Sequence, residues 1–306
     1  YEKNSSKLGT ELVGYDSGFS SSYADGSTKQ KAIKTRAFMG LISSFEKIST
    51  QFNLSHDMLP GVGNTNTYLL GVAYTLENNI KVTATNSTAV AAPTLGQLYD
   101  LNSGGVPTLK PEYSKTTEVG VQYLNTSTFA RAVIFDTKYR NLIAPGTTAV
   151  DDAFWGGWMG VSKYENISSS HNTGLELQFR KQIYKFKIDT NLTHQSPVND
   201  GNIVVKNKAR NYGSLGFSYI FNEKFDAGLG ILSTTSRTTT SPKGETSGTH
   251  TPGYSVFRLH SGYTFDKSLR GIVSLENALN KSYYQIYGYN TPGRGIYATL
   301  QYQPKQ

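Results

Sequence analysis

Apolar and polar residues alternate with a period of two along most of the chain, which places one set on each face of an extended strand. The stretch from Leu269 to Tyr302 is the clearest case. It reads as a strand, a tyrosine-rich loop and a returning strand, with Ile296, Ala298, Leu300 and Tyr302 on one side and Tyr297, Thr299 and Gln301 on the other. Earlier, Ile48, Thr50, Phe52 and Leu54 share a face, as do Tyr68, Leu70, Val72 and Tyr74. Val119, Val121 and Tyr123 oppose Glu118, Gly120 and Gln122. In the next strand Phe129, Val133, Phe135 and Tyr139 are assigned to the apolar face, against Asp136, Lys138 and Arg140. Arg131 then falls on the apolar side, near a turn where a long side chain reaches polar surroundings. Leu175, Leu177, Phe179, Leu215, Phe217, Leu229, Ile231, Leu259 and Tyr263 continue the pattern. Residues 7–17 make a weak strand, and the facing of 31–42 stays open.

The alternation predicts about fourteen strands and no helix, far from the usual mixture. Connections alternate too. Tight ones are expected near 43–45, 77–79, 125–127, 181–182, 222–224 and 266–268. Long ones are expected near 18–30, 57–64, 92–113, 144–160, 195–207, 238–250 and 280–292. Antiparallel neighbours with loops reaching out on one side and clipped turns on the other give this rhythm.

One greasy face per strand suits a soluble sandwich, which buries it, or a membrane barrel, which turns it to lipid. Many runs reach the ~9–11 residues a tilted strand needs to cross a bilayer. Aromatics collect at strand ends (Tyr74, Tyr123, Tyr139, Tyr184, Phe221, Phe225, Phe265 and Tyr302), as an interfacial girdle requires. The other face carries Lys, Glu, Asp, Arg, Ser and Gly, which line a wet lumen but not a dry core. The sequence therefore predicts an all-β, antiparallel transmembrane barrel.

Composition adds limits. Of 306 residues only 37% are hydrophobic, low for a chain this long with a core to fill. There is no Cys, so no disulfide scaffold or thiolate metal site. The net charge of +8 comes from scattered Lys and Arg without a dense cluster, which argues against a nucleic-acid partner. The opening YEKNSSK lacks Met and already approaches a strand, as expected of a chain that starts partway through a longer one.

Several stretches resemble the TonB-dependent outer-membrane transporters. These are IKVTATNSTAVAAPT (80–94), LGQLY (95–99), TLKPEYSKTTEVGVQY (108–123) and ENALNKSYYQIYGYNTPGRGIYATLQY (276–302). The resemblance implies a twenty-two-stranded family barrel, of which residues 1–306 are a partial, C-terminal part with no plug domain. It further implies outer-membrane lipid around the wall and a TonB-type energising protein acting through the missing plug. The implied ligand is a scarce nutrient: cobalamin first, a ferric siderophore or haem otherwise. Within the family, APTLGQLY and YGYNTPGR look most like vitamin B12 transporters. The chain departs from the pattern at Ala91, where the family usually has arginine before Ala-Pro-Thr, and in the residues Gln303, Pro304, Lys305 and Gln306 that follow Tyr302.

No catalytic constellation or cofactor is expected. The five His residues are dispersed, and His260 reads as a lumen hydrogen-bonder. Asp151-Asp152 is either a solvated acidic pair or part of a loop calcium site. Ligand-binding candidates in the long loops are Tyr99, Trp155, Trp158, Tyr287 and Tyr289. For the two tryptophans, interface anchoring is the competing reading. Tyr283 and Tyr284 are assigned to the aromatic girdle. By alternation Lys81, Glu118, Glu176, Arg258 and Glu276 face inward, toward a plug or toward one another as a ladder of ion pairs. A self-contained pore of about fourteen strands is the rival; it requires 7–17 to pair with 293–303. A surface adhesin or phage receptor is a third reading.

Overall fold

The computed structural model describes residues 5–11, 19–21, 28–30, 34–59, 63–100, 104–150, 161–167, 169–200, 203–239 and 249–304. Fourteen strands form one antiparallel sheet. In sheet order they are β1 (Ser5–Glu11), β4 (Thr35–Phe45), β5 (Ile48–Leu59), β6 (Gly63–Thr75), β7 (Ile80–Ala91), β8 (Glu112–Leu124), β9 (Thr128–Arg140), β12 (Ser170–Ile183), β13 (Phe186–Asn199), β14 (Asn211–Ile220), β15 (Phe225–Thr234), β18 (Tyr254–Thr264), β19 (Leu269–Glu276) and β20 (Gly295–Tyr302). Three small hairpins sit in long connections: β2 (Phe19–Ser21) with β3 (Thr28–Gln30), β10 (Ile143–Val150) with β11 (Val161–Asn166), and β16 (Arg237–Thr239) with β17 (Thr249–Thr251).

Every strand pairs with its sequence neighbour in this order, apart from the hairpins. β1 and β20 lie at opposite ends of the sheet. Among the described residues no pairing joins them, so the closure that a self-contained pore requires is not formed.

Register settles the faces. Leu54 pairs with Tyr68, Phe52 with Leu70, Val82 with Val121, and Phe217 with both Ile188 and Leu229, so apolar positions continue across strand after strand. Such same-face pairs each contribute roughly 0.2–1 kcal/mol. Many of these side chains stand in the open, among them Leu70, Val119, Leu192 and Leu259. Only five hydrophobic residues are buried among those described, too few for the core of a soluble sandwich.

One strand corrects the sequence expectation. Ile134 pairs with Val119 and Leu175, whereas Val133 pairs with Gly120 and Glu176, and Phe135 with Glu118 and Gly174. Val133 and Phe135 therefore lie on the polar face together with Arg131. The outward positions are Ala130, Ala132 and Ile134. The cause is steric fit: Gly120 and Gly174 leave space that Val133 and the Phe135 ring occupy. Bulk on one face of β9 reflects those glycines, not lipid.

Four more differences are local. The connection expected at 57–64 shrinks to 60–62, because β5 and β6 extend further than the alternation shows. Leu95–Tyr99 forms one helical turn, α1, where no helix was expected. Its N-cap Thr94 and Gln97 make a reciprocal capping box, the combination that nucleates a turn locally. Tyr139 lies at the long-loop end on the polar face, opposite Ser114 and Ser170, not in the girdle. Tyr283 also leaves the girdle, as described below.

Three of the short turns share a device. Asn125 Oδ1 accepts from the Ser127 and Thr128 amides at 3.0 and 2.7 Å. Asn222 Oδ1 accepts from Lys224 and Phe225, both at 2.9 Å. Asp266 Oδ1 accepts from Ser268 and Leu269 at 2.7 and 3.1 Å. A side-chain oxygen thus holds each turn without outside help. Hydrogen bonds from the Ser268 hydroxyl and amide hold the Asp266 carboxyl below its ordinary pKa. Its contribution is complete above the ordinary carboxylate value and is lost as pH falls through the lowered one. The protection of the Ser268 and Leu269 amides against exchange, taken relative to an unstructured peptide at the same pH, should therefore fall in acid, and Asp266→Ala should abolish that fall.

Next to these turns runs a chain of rings. Phe186–Tyr219, Tyr219–Phe221, Phe221–Phe225 and Tyr263–Phe265 have centroids 4.7, 4.8, 5.1 and 5.1 Å apart. They form an aromatic band along the short-turn end of the apolar face.

Candidate functional site

The polar face is built in rows across neighbouring strands. One row runs Lys81, Gln122, Arg131, Gln178, Asn191 and Ser214. The next includes Gly120, Val133, Glu176 and Thr193, and the one beyond it Thr85, Glu118, Phe135 and Gly174. All five residues expected to face inward lie on this wall, but they do not form one ladder. Arg258 Nε meets Glu276 Oε1 at 2.7 Å. Glu118 accepts weakly from Thr85 Oγ1 at 3.5 Å. Lys81 and Glu176 stand in different rows, away from that pair.

Two further charge clusters escaped the sequence reading. Arg270 pairs with Asp226 across Gly262, which leaves room for the guanidinium. Asp57, 4% exposed, takes Arg36 Nε at 2.7 Å, Ser55 Oγ at 3.0 Å and Lys34 Nζ at 3.5 Å. The legible signal is that Asp57 continues the polar alternation of Gln51, Asn53 and Ser55.

Between β13 and β19 the wall opens into a recess of about 390 Å3. Gly216 and Gly230 form its floor, with Asp189 on one side, Arg258 and Glu276 on the other, and Tyr283 and Tyr297 at the rim. His260 lies one row away, its ring over Gly228.

The loop 277–294 stands above this recess and is tied in place by its own side chains. Asn277, 4% exposed and at φ 47°, donates from Nδ2 to the carbonyls of Lys281 (2.9 Å) and Pro292 (3.3 Å). Its Oδ1 accepts from Lys281 N at 2.8 Å. Asn280 Oδ1 accepts from Arg294 N, and Thr291 Oγ1 donates to Tyr283 O. Arg237 reaches over from β16 to the carbonyls of Tyr284 and Gln285. Tyr283 stacks on Tyr254 at 4.3 Å, and Tyr254 is on the polar face, which removes Tyr283 from the lipid side.

This frame leaves Tyr287 and Tyr289 exposed, at 42% and 67%. Asn277→Ala should cost about 1–1.5 kcal/mol through the lost hydrogen bonds. Asn277→Gly should relieve only the backbone share, since asparagine already tolerates positive φ. Denaturant titration of both variants checks the difference.

Tyr99 is half-buried at the end of α1. Leu98 beneath it is 1% exposed. Asn166 clamps the 92–111 connection to the β10–β11 hairpin, binding Lys110 N and O at 2.8 Å each. Tyr99 and the pair Tyr287 and Tyr289 belong to loops whose parent strands β8 and β19 are separated by β9, β12, β13, β14, β15 and β18. The structure does not bring the three into one local cluster. Trp155, Trp158 and the Asp151-Asp152 pair lie outside the described residues.

A family model described as "TonB dependent receptor-like, beta-barrel" matches residues 15–280. A vitamin B12 transporter of Vibrio vulnificus is 21% identical over 271 residues, covering 84% of this chain and 40% of the relative. Another, from Photobacterium profundum, is 42% identical over 59 residues, covering 19% of this chain and 10% of its own. Among solved structures, the ferric enterobactin receptor of Pseudomonas aeruginosa superposes with a TM-score of 0.76 at 19% identity, over 91% of this chain and 46% of that one. The siderophore receptor PirA of Acinetobacter baumannii gives 0.74 at 17% identity, over 90% and 46%. The chain thus spans less than half the length of these relatives.

Proposed function

The chain belongs to the TonB-dependent receptor family, as part of its β-barrel, and from this we propose that it works in active uptake of a corrinoid across the outer membrane. One observation carries the reading: a continuous apolar face and a continuous polar face, kept in register across a sheet that the family model matches over 15–280. Lipid covers the first face. The second faces a plug, which a TonB-type protein at the inner membrane energises. Ligand is captured at the long-loop end and passes along the polar wall when the plug rearranges.

Exposed, uncharged rings at Tyr287 and Tyr289 support a corrinoid, because apolar rings grip a large neutral ligand well. Two transporters similar to this sequence, those of Vibrio vulnificus and Photobacterium profundum, are described as vitamin B12 transporters. The second reading is a ferric siderophore. The exposed Arg294 beside the same loop favours it, since a guanidinium suits an anionic chelate. Equilibrium binding of cyanocobalamin and of a ferric catecholate to the full-length protein decides between them. If neither binds, nor haem, the uptake ligand has been misassigned.

A further inference from the structure

On the lipid-directed face, at the long-loop end, like charges stand directly opposite one another. Lys115 of β8 pairs in register with Lys138 of β9, and Lys138 pairs in turn with His171 of β12. Two residues along β9, Arg140 lies opposite Tyr113, with its guanidinium 6.0 Å from the ring centroid. Like charges directly opposed across strands destabilise a sheet unless something neutralises them. The acid nearby, Asp136, is taken by His171 Nε2 at 3.2 Å. Lys115, Lys138 and Arg140 are all exposed.

Their height on the wall is informative. Tyr123 belongs to the short-turn girdle, and Lys115 lies four pleat repeats above it on the same face of β8, ~27 Å along the strand at ~3.4 Å per residue. With the usual tilt of ~40° that is ~20 Å along the membrane normal, against an apolar band ~25 Å tall. Tyr113, one step further, lands at the opposite girdle. The basic row therefore sits just inside the far interface, where long side chains can extend their charge to headgroup level.

We propose that Lys115, Lys138 and Arg140 form a docking site for a phosphate-bearing lipid headgroup, its acyl chains lying over Val119, Ile134 and Leu175. The inference rests on the outer-membrane barrel reading above and adds a specific lipid partner to it. A phosphate between the two ammonium groups supplies the missing negative charge, and Arg140 presents a planar fork to its oxygens.

The test uses the full-length protein in nanodiscs made of equal parts phosphatidylcholine and phosphatidylglycerol, with protein-bound lipid quantified by native mass spectrometry. The native protein should be enriched in the anionic lipid, and Lys115→Ala/Lys138→Ala should reduce that enrichment roughly tenfold. Lys115→Arg/Lys138→Arg should restore it, and Lys224→Ala at the short-turn end should leave it unchanged. Equal enrichment in the double alanine variant overturns the proposal. So does displacement of the lipid by inorganic phosphate, which would make the site one for a free anion. Failure of the protein to enter either lipid overturns the barrel reading as well, an outcome distinct from insertion without lipid preference.

Discussion

Replacing Ile134 with lysine should destabilise the inserted protein by about 2–4 kcal/mol, the cost of an amine near the bilayer midplane on a lipid-facing wall. Ile134 is 66% exposed and paired between Val119 and Leu175. Its row lies ~13 Å along β8 from the Tyr123 girdle, near the middle of the apolar band. The control is Asn191→Lys, on the polar face of β13 opposite Gln178 and Ser214. That side chain stays wet, so its change should fall within about 0.5 kcal/mol. Denaturant titration in phosphatidylcholine vesicles reads both. Equal losses would mean that the faces have been assigned the wrong way round.

The second large effect is steric. A Cβ at Gly174 would collide with the backbone carbonyl of His194 and come within 2.5 Å of the Phe135 ring. Backbone cannot step aside as the tip of a flexible side chain can. Gly174→Ala should therefore cost about 2–3 kcal/mol. Gly230 sits on the same wall, but a Cβ there meets only Arg258 Cβ, at 3.7 Å. Gly230→Ala should be close to neutral. Heat-modifiability on gels with folded and unfolded standards separates the two, and matching behaviour would show that the Phe135–Gly174 contact constrains nothing.

These glycines also explain what the sequence could and could not say. Alternation assigned faces correctly where outward residues are large, as at Leu70, Val121 or Phe217, and left the facing of 31–42 open. It failed at β9, where outward Ala130 and Ala132 are small and inward Val133 and Phe135 are large. Periodicity weighs bulk, and only the pairing partners reveal that the bulk fills space left by Gly120 and Gly174. Turn chemistry was visible at Asn125, Asn222 and Asp266 because each uses its own side chain. The ties of loop 277–294 were not, since Arg237 is remote in sequence and Asn277 reads like any loop asparagine. For the charges, spacing put Lys81, Glu118, Glu176, Arg258 and Glu276 on the polar side of their strands, where the register has them. It could not give the pairing of Arg258 with Glu276, which depends on register between two strands.

Strand order along the sheet follows order along the chain, small hairpins aside. Each new ribbon finds its partner in the segment made just before it, and at Asn125, Asn222 and Asp266 the short turn between them supplies its own cap. The entropy of drawing segments together is thereby small at the short turns and grows only slowly with length at the long loops. For so large a wall the mean sequence separation of contacts stays modest, and assembly can advance by zippering from one side, hairpin after hairpin.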